Sequence, residues 1–235
     1  MPPRPDFVIE QNNATGTVSY WEAGENQSVA DAAGISLADY IHAMYFFIRK
    51  AKAKRVLMIG CGGGTLATML HRAGAEVTVV DVSARSFEIA RRFFALPAAV
   101  DCRIADGRAY LARRRVRYDA IALDAYDGNA IPAQFLNPAF FALVKSRLRP
   151  RGIFAMNIMV KDDFDRTPDR IGRAAQKSFA QVRLLDSDGW IDRNAVLIAG
   201  AVARLPRPRL LLKPARRAVR LAREIADLDF RPLRD

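Results

Sequence analysis

The stretch RVLMIGCGGGTL, residues 55–66, decides how the rest of the chain is read. An apolar run from Val56 to Ile59 enters a turn containing Gly60, Gly62, Gly63 and Gly64. That order predicts a buried strand, a glycine turn and then a helix. Such a turn lets the backbone come close to a nucleotide-like ligand. The glycines alone leave a dinucleotide, a nucleoside sulfonium and a phosphate open. GCGGG satisfies G-x-G but not the full G-x-G-x-x-G. No Gly-Lys-Ser/Thr follows, which argues against a phosphate loop.

Outward from this turn the chain alternates. Apolar runs at about 55–60, 77–81, 101–105, 118–124, 152–159, 180–186 and 194–201 predict strands. Segments at about 64–73, 83–95, 107–114, 137–148 and 167–178 predict helices. Such alternation means a mainly parallel sheet with helices on both faces. Asn137 and Pro138 mark a helix start, and RPRG, 149–152, marks its stop. The last two runs flank SDGWIDRN, 187–194, which predicts a terminal antiparallel hairpin. This layout resembles that of class I S-adenosylmethionine-type enzymes.

Residues 1–50 differ from this core. FVIEQ, TGTVSYWEA and NQSVADAAG predict a small β appendage, and SLADYIHAMYFFIRKA predicts a linking helix. Ser36 and Asp39 are spaced as a capping box for that helix. The core is expected over 51–204, followed by a basic helical extension over 205–235. In it, PARRAVRLAREIADL has an apolar stripe expected to pack on the domain.

Ligands of an open α/β sheet bind beyond the carboxyl ends of its strands. Asp81 stands there after the second run, 21 residues after Gly60, and Asp106 after the third. Asp124 and Asp127 close the fourth. An acid placed like Asp81 accepts hydrogen bonds from a ribose diol. Asp106 could take the exocyclic amine of an adenine. Asp124 and Asp127 could bind a cation or take a proton from an amine. Each also has a plainer reading: Asp81 and Asp106 as helix caps, and Asp127 before Gly128 as a turn residue. Four acids at three strand ends of one sheet edge are harder to explain as chance.

The composition sets bounds. The chain has 235 residues, half of them hydrophobic, which suits one large domain with an appendage. No apolar run has the length of a membrane span, and MPPRPDFVIEQ has no apolar leader core. Two cysteines, Cys61 and Cys102, fit a reduced, cytoplasmic setting. The net charge is +12, mostly dispersed arginine with no nucleic-acid motif, so no nucleic-acid partner is expected.

These motifs resemble the spermidine synthase family, the polyamine aminopropyltransferases, over roughly residues 20–200. The family's GGGDGG falls on the glycine turn, and its acid after strand two falls on Asp81. Its GDG falls on Ala105, Asp106 and Gly107, and its DSSDP on Asp124 to Gly128. LDAYDGNAIPAQF is similar to the divergent spermidine-synthase-like branch. The resemblance implies a Rossmann-like α/β fold with a seven-stranded sheet and a small N-terminal β appendage. It implies transfer of an aminopropyl group from decarboxylated S-adenosylmethionine to an amine, with no metal. Nucleoside contacts then fall to Gly60, Gly62, Gly63, Gly64, Asp81, Val82, Asp106, Gly107 and Asp124. Asp124 and Asp127 carry catalysis, and Asp127, Tyr126, His42 and Gln27 line the amine. A homodimer or homotetramer is also implied. The chain departs at Gly63, where the family has an acid, and at Ile41, His42 and Ala43, where it has YHE. Asn157 stands where many members have Gln.

Two other readings share the fold. A methyltransferase would use intact S-adenosylmethionine. Such enzymes commonly carry an acid two residues before the first glycine, where this chain has Met58. A degenerate binding protein would account for the missing YHE residues, and the retained acids argue against it.

Overall fold

The computed structural model describes residues 7–189 and 191–234. The first six residues of the expected appendage, and Trp190 in the expected hairpin connection, lie outside them.

Three strands, β1 (Phe7–Asn12), β2 (Thr17–Glu22) and β3 (Glu25–Asp31), form an antiparallel sheet. Its inner side packs Val18, Tyr20 and Ala30 against Ile89 and Phe94 of the core. The appendage is therefore fastened to the core by burial. Asp31 adds polar anchors, accepting the N–H groups of Ile35 and Ala215, each at 2.9 Å.

Helix α1 (Asp39–Lys50) presents an unbroken buried run from Ile41 to Ile48. An apolar segment this uniform belongs between layers rather than at a surface. The expected capping box does not form. The helix starts after Ala38 with no side-chain cap. Ser36 lies two residues before the cap position, in a β-bridge to Ala30, and its Oγ accepts the N–H of Ala38 at 3.1 Å.

The core alternates as expected: β4 (Arg55–Ile59), α2 (Thr65–Arg72), β5 (Glu76–Asp81), α3 (Ala84–Phe93), β6 (Asp101–Ile104), α4 (Gly107–Arg113), β7 (Tyr118–Leu123), α5 (Pro138–Arg147), β8 (Leu148–Val160), α6 (Thr167–Gln176), β9 (Val182–Asp186) and β10 (Arg193–Gly200). Asn137 caps α5, its side chain accepting from the Phe140 N–H at 3.0 Å. Strand β8 begins earlier than expected, because Leu148 already pairs with Tyr118 before an irregularity around Pro150 and Gly152.

The sheet has eight strands rather than seven, in the order β11-β9-β10-β8-β7-β4-β5-β6. Strands β4 to β8 run parallel, and β10 lies antiparallel between β8 and β9. The added edge strand is β11 (Asp229–Arg231), beyond helix α7 (Ala218–Ala226). Three residues are too few to show a period, so the sequence predicts only helix in this extension. The stripe of α7 does pack inward, with Leu221 and Ile225 buried. Among the described residues no helix is long and apolar enough to cross a membrane.

A buried ion cluster holds the C-terminal segment. Asp186 accepts from Arg193 and Arg231, and Asp169 accepts from Arg231, all at 2.8 Å. Burial pushes the Asp169 carboxyl upward, but the Arg231 and Arg234 hydrogen bonds hold it below the ordinary range.

Candidate active site

The strand ends are stitched together at the glycine turn. Gly60 donates its N–H to Val80 O, and Asp124 donates its N–H to Ile59 O, each at 2.9 Å. Gly60 has a φ of +93°, and a Cβ there would stand 2.0 Å from the Asp124 carbonyl oxygen. Only glycine fits both the backbone angle and the space.

Asp81 supports the same turn. Its Oδ2 accepts the Cys61 N–H at 2.7 Å and its Oδ1 accepts the Ser83 N–H at 2.8 Å. Burial raises its pKa above the ordinary value, and these two N–H groups oppose the rise. Ser83, not Asp81, caps α3. Val82 is 72% exposed and lines the cleft beside Asp81. An apolar side chain left open there is available to a flat base.

Asp106 fulfils its plainer reading while remaining at the cleft. It caps α4, its Oδ1 accepting the Ala109 N–H at 2.7 Å. Its Oδ2 accepts from Gln134 Nε2 at 2.6 Å.

Gly63 shows why no acid stands in the turn. A Cβ there would meet the Ser28 Cβ at 2.8 Å and the Phe94 ring at 2.9 Å. The Gly63 N–H donates to Ser28 Oγ at 2.8 Å. The appendage occupies the space that a side chain would need. A second strap crosses the cleft mouth, where Asn129 Nδ2 donates to Glu25 at 2.9 Å.

Asp124 sits at the centre. Asn157 Nδ2 donates to its Oδ1 at 2.8 Å, and the Tyr40 hydroxyl donates to its Oδ2 at 3.4 Å. Burial raises the Asp124 pKa, and those two hydrogen bonds oppose the rise. The Tyr126 hydroxyl points away, donating to Asn157 O at 3.2 Å and accepting from the Met159 N–H at 2.8 Å. Asp127 is exposed at the rim, in a turn closed by its backbone bonds to Ala130.

These groups surround a cleft of about 820 Å³. Its walls carry Asp81, Asp106, Asp124, Asp127 and Asp192 from the sheet edge, and Glu22 and Glu25 from the appendage. No lysine, arginine or histidine lines it among the described residues. A chain of net charge +12 thus keeps one strongly anionic concavity, a field that attracts cations. No group of three or more metal-ligating side chains is found among the described residues.

Of the residues expected at the site, Gly60, Gly62, Asp81, Val82, Asp106, Gly107, Asp124, Tyr126, Asp127 and Gln27 line this cleft. Gly63 and Gly64 do not; they form the turn behind it. His42, expected beside the amine, is also absent from the lining. It is buried in α1 with Nε2 2.8 Å from the Ser36 carbonyl oxygen, and burial lowers its pKa. Sequence reasoning missed Ser28, Gln134, Asp192 and Asn194. Asn194 had a signal: it is a lone amide in the apolar run of β10, as Asn157 is in β8.

A family profile described as a methyltransferase domain matches residues 56–152. A probable polyamine aminopropyl transferase of Bifidobacterium longum is 33% identical over 113 residues, covering 47% of this chain and 25% of that protein. An eEF1A lysine and N-terminal methyltransferase homolog of Drosophila melanogaster is 30% identical over 127 residues, covering 48% of this chain and 19% of that protein. The chain thus spans less than half the length of the curated relatives it matches. In fold it is similar to a probable spermidine synthase from Corynebacterium glutamicum. That likeness has a TM-score of 0.78 at 18% identity, over 97% of this chain and 87% of that one.

Proposed function

We propose that the chain, which is similar to polyamine aminopropyltransferases in sequence and to a spermidine synthase in fold, transfers an aminopropyl group from decarboxylated S-adenosylmethionine to an amine. One observation carries this reading: among the described residues, seven carboxylates and no basic side chain line the cleft. A sulfonium and an ammonium are both cations and suit that field. The carboxylate of an intact methionine tail does not suit it, and it would find no lysine or arginine there.

The residues present fit the nucleoside. The glycine turn offers close approach, and in this reading Asp81 takes the ribose and Asp106 the adenine amine, both lining the cleft. The donor supplies a carbon activated by positive sulfur. The chain must bind, orient and deprotonate the acceptor. Asp124 is suited to the last task, because burial makes its carboxylate a stronger base than an exposed one. The amine nitrogen attacks the carbon beside sulfur, and the carbon–sulfur bond breaks with its electron pair passing to sulfur. A proton leaves the nitrogen for Asp124. Asp127, Tyr126 and Gln27 line the path of the acceptor. Positioning and electrostatics account for most of the acceleration.

The methyltransferase reading is favoured by one observation, the match of residues 56–152 to a methyltransferase-domain profile. One experiment separates the two. Calorimetry should show tighter binding of the decarboxylated nucleoside than of the intact one. Mass spectrometry of products from an amine panel should then show aminopropyl addition. Preference for the intact donor, with methylated products, would sink the aminopropyl reading.

A further inference from the structure

Two asparagines on neighbouring strands have no role in the chemistry derived so far. Asn157 is 4% exposed on β8, facing α1 among Ile153, Ala155 and Val196. Burying an amide in such company is costly unless its donors and acceptor are all used. Its backbone partner across the ladder is Val196, so Asn194 lies two residues along on the same face of β10. Diagonal neighbours of this kind are within side-chain reach. Asn194 Nδ2 donates to Asn157 Oδ1 at 2.9 Å, and Asn157 Nδ2 donates to Asp124 Oδ1 at 2.8 Å. The Asn157 carbonyl is held in turn by the Tyr126 hydroxyl.

We propose that Asn194 is a positioning residue: by occupying the Asn157 oxygen it keeps the Asn157 N–H turned toward Asp124. An amide can present either end to a neighbour. With its oxygen engaged by a donor on β10, the end facing Asp124 must be the donor. That end favours the carboxylate form, the form able to take a proton. Without Asn194, the Asn157 amide is free to turn its oxygen toward Asp124, which favours the protonated acid. The titratable groups interacting with Asp124 from the other elements are Tyr40 on α1 and Tyr126 after β7, and neither is hydrogen-bonded to Asn194.

The role of Asp124 as a base rests on the proposed function; the orientation of the amide does not. The test is therefore made first on the ligand-free protein. Carboxyl-carbon NMR would titrate Asp124 in wild type, Asn194→Leu, Asn157→Leu and the double variant, with thermal unfolding run on each. Asn194→Leu is expected to move the Asp124 midpoint to higher pH. The double variant is expected to match Asn157→Leu alone, since Asn194 acts through Asn157. An unchanged midpoint in a folded Asn194→Leu, or an additive double variant, would overturn the proposal. Should the leucine variants not fold, Asn194→Ser, which keeps a shorter donor, and Asn194→Asp, which loses it when ionised, carry the same comparison. In turnover assays, the acid limb of kcat should shift to higher pH in Asn194→Leu with KM for the donor unchanged. A shifted NMR midpoint without any aminopropyl transfer would refute the functional reading and leave the positioning role standing.

Discussion

Ser28 of the appendage accepts the N–H of Gly63 at 2.8 Å, so the small sheet is latched to the glycine turn of the core. Placing an acid at Gly63 would force the Ser28 and Phe94 contacts apart. Gly63→Asp is expected to lose about 1–3 kcal/mol of stability, the usual cost of overpacking. Denaturant unfolding checks this. The variant should also bind donor nucleoside more weakly, rather than gain a second anchor for its amine.

Asp124→Asn should abolish transfer and leave nucleoside binding nearly intact. The isostere keeps an oxygen for Asn157 to donate to. Rates measured under single-turnover conditions, beside calorimetry with a nucleoside, test both halves.

The raised pKa of Asp124 also fixes a stability profile. A folded-state pKa above the unfolded one means that the native state holds the proton more tightly. The contribution is fully present below about pH 3.8, the ordinary value, and is lost as pH rises through the folded pKa. At neutral pH wild type therefore carries the cost of a buried charge. Asp124→Asn removes that charge, so its unfolding free energy should fall less than wild type's between pH 4 and 7. Parallel urea titrations at several pH values would show it. Identical pH profiles would contradict it.

Asp81→Ala leaves the N–H groups of Cys61 and Ser83 without their acceptor. Each such loss costs about 1–3 kcal/mol where water cannot replace the partner. Nucleoside affinity is expected to drop at least tenfold, as read by calorimetry, with the fold retained by circular dichroism.

Arg231→Ala tests the C-terminal ion cluster. It strips Asp169 and Asp186 of a shared partner, and their side chains are only 2% and 1% exposed. Breaking a buried pair on one side costs about 3–5 kcal/mol. A melting temperature within a degree or two of wild type would show that Arg193 and Arg234 suffice.

The core was legible because its signals are local and repeated. The run Val56–Ile59 and its glycines, Asn137 before Pro138, and four acids at strand ends each reported one element. The cleft was less legible where it depends on pairs distant in sequence. Ser28 meets Gly63 across 35 residues, and Asn157 meets Asn194 across 37. His42 misled for the opposite reason. Its neighbours in sequence placed it by family motif, but the burial of the whole helix turned it to the Ser36 carbonyl. The eighth strand escaped because Asp229–Arg231 is too short to show an alternating pattern, and its partner Leu184–Asp186 lies far away in the sequence.

Gly60 and the Asp124 carbonyl touch so closely that turn and carboxylate behave as a single casting. On the proposed function, the distance between a bound nucleoside and Asp124 is then not an adjustable quantity. On that reading, changes in acceptor choice, whether by evolution or by redesign, must be written into the rim: residues 125–132 and the turn between β2 and β3.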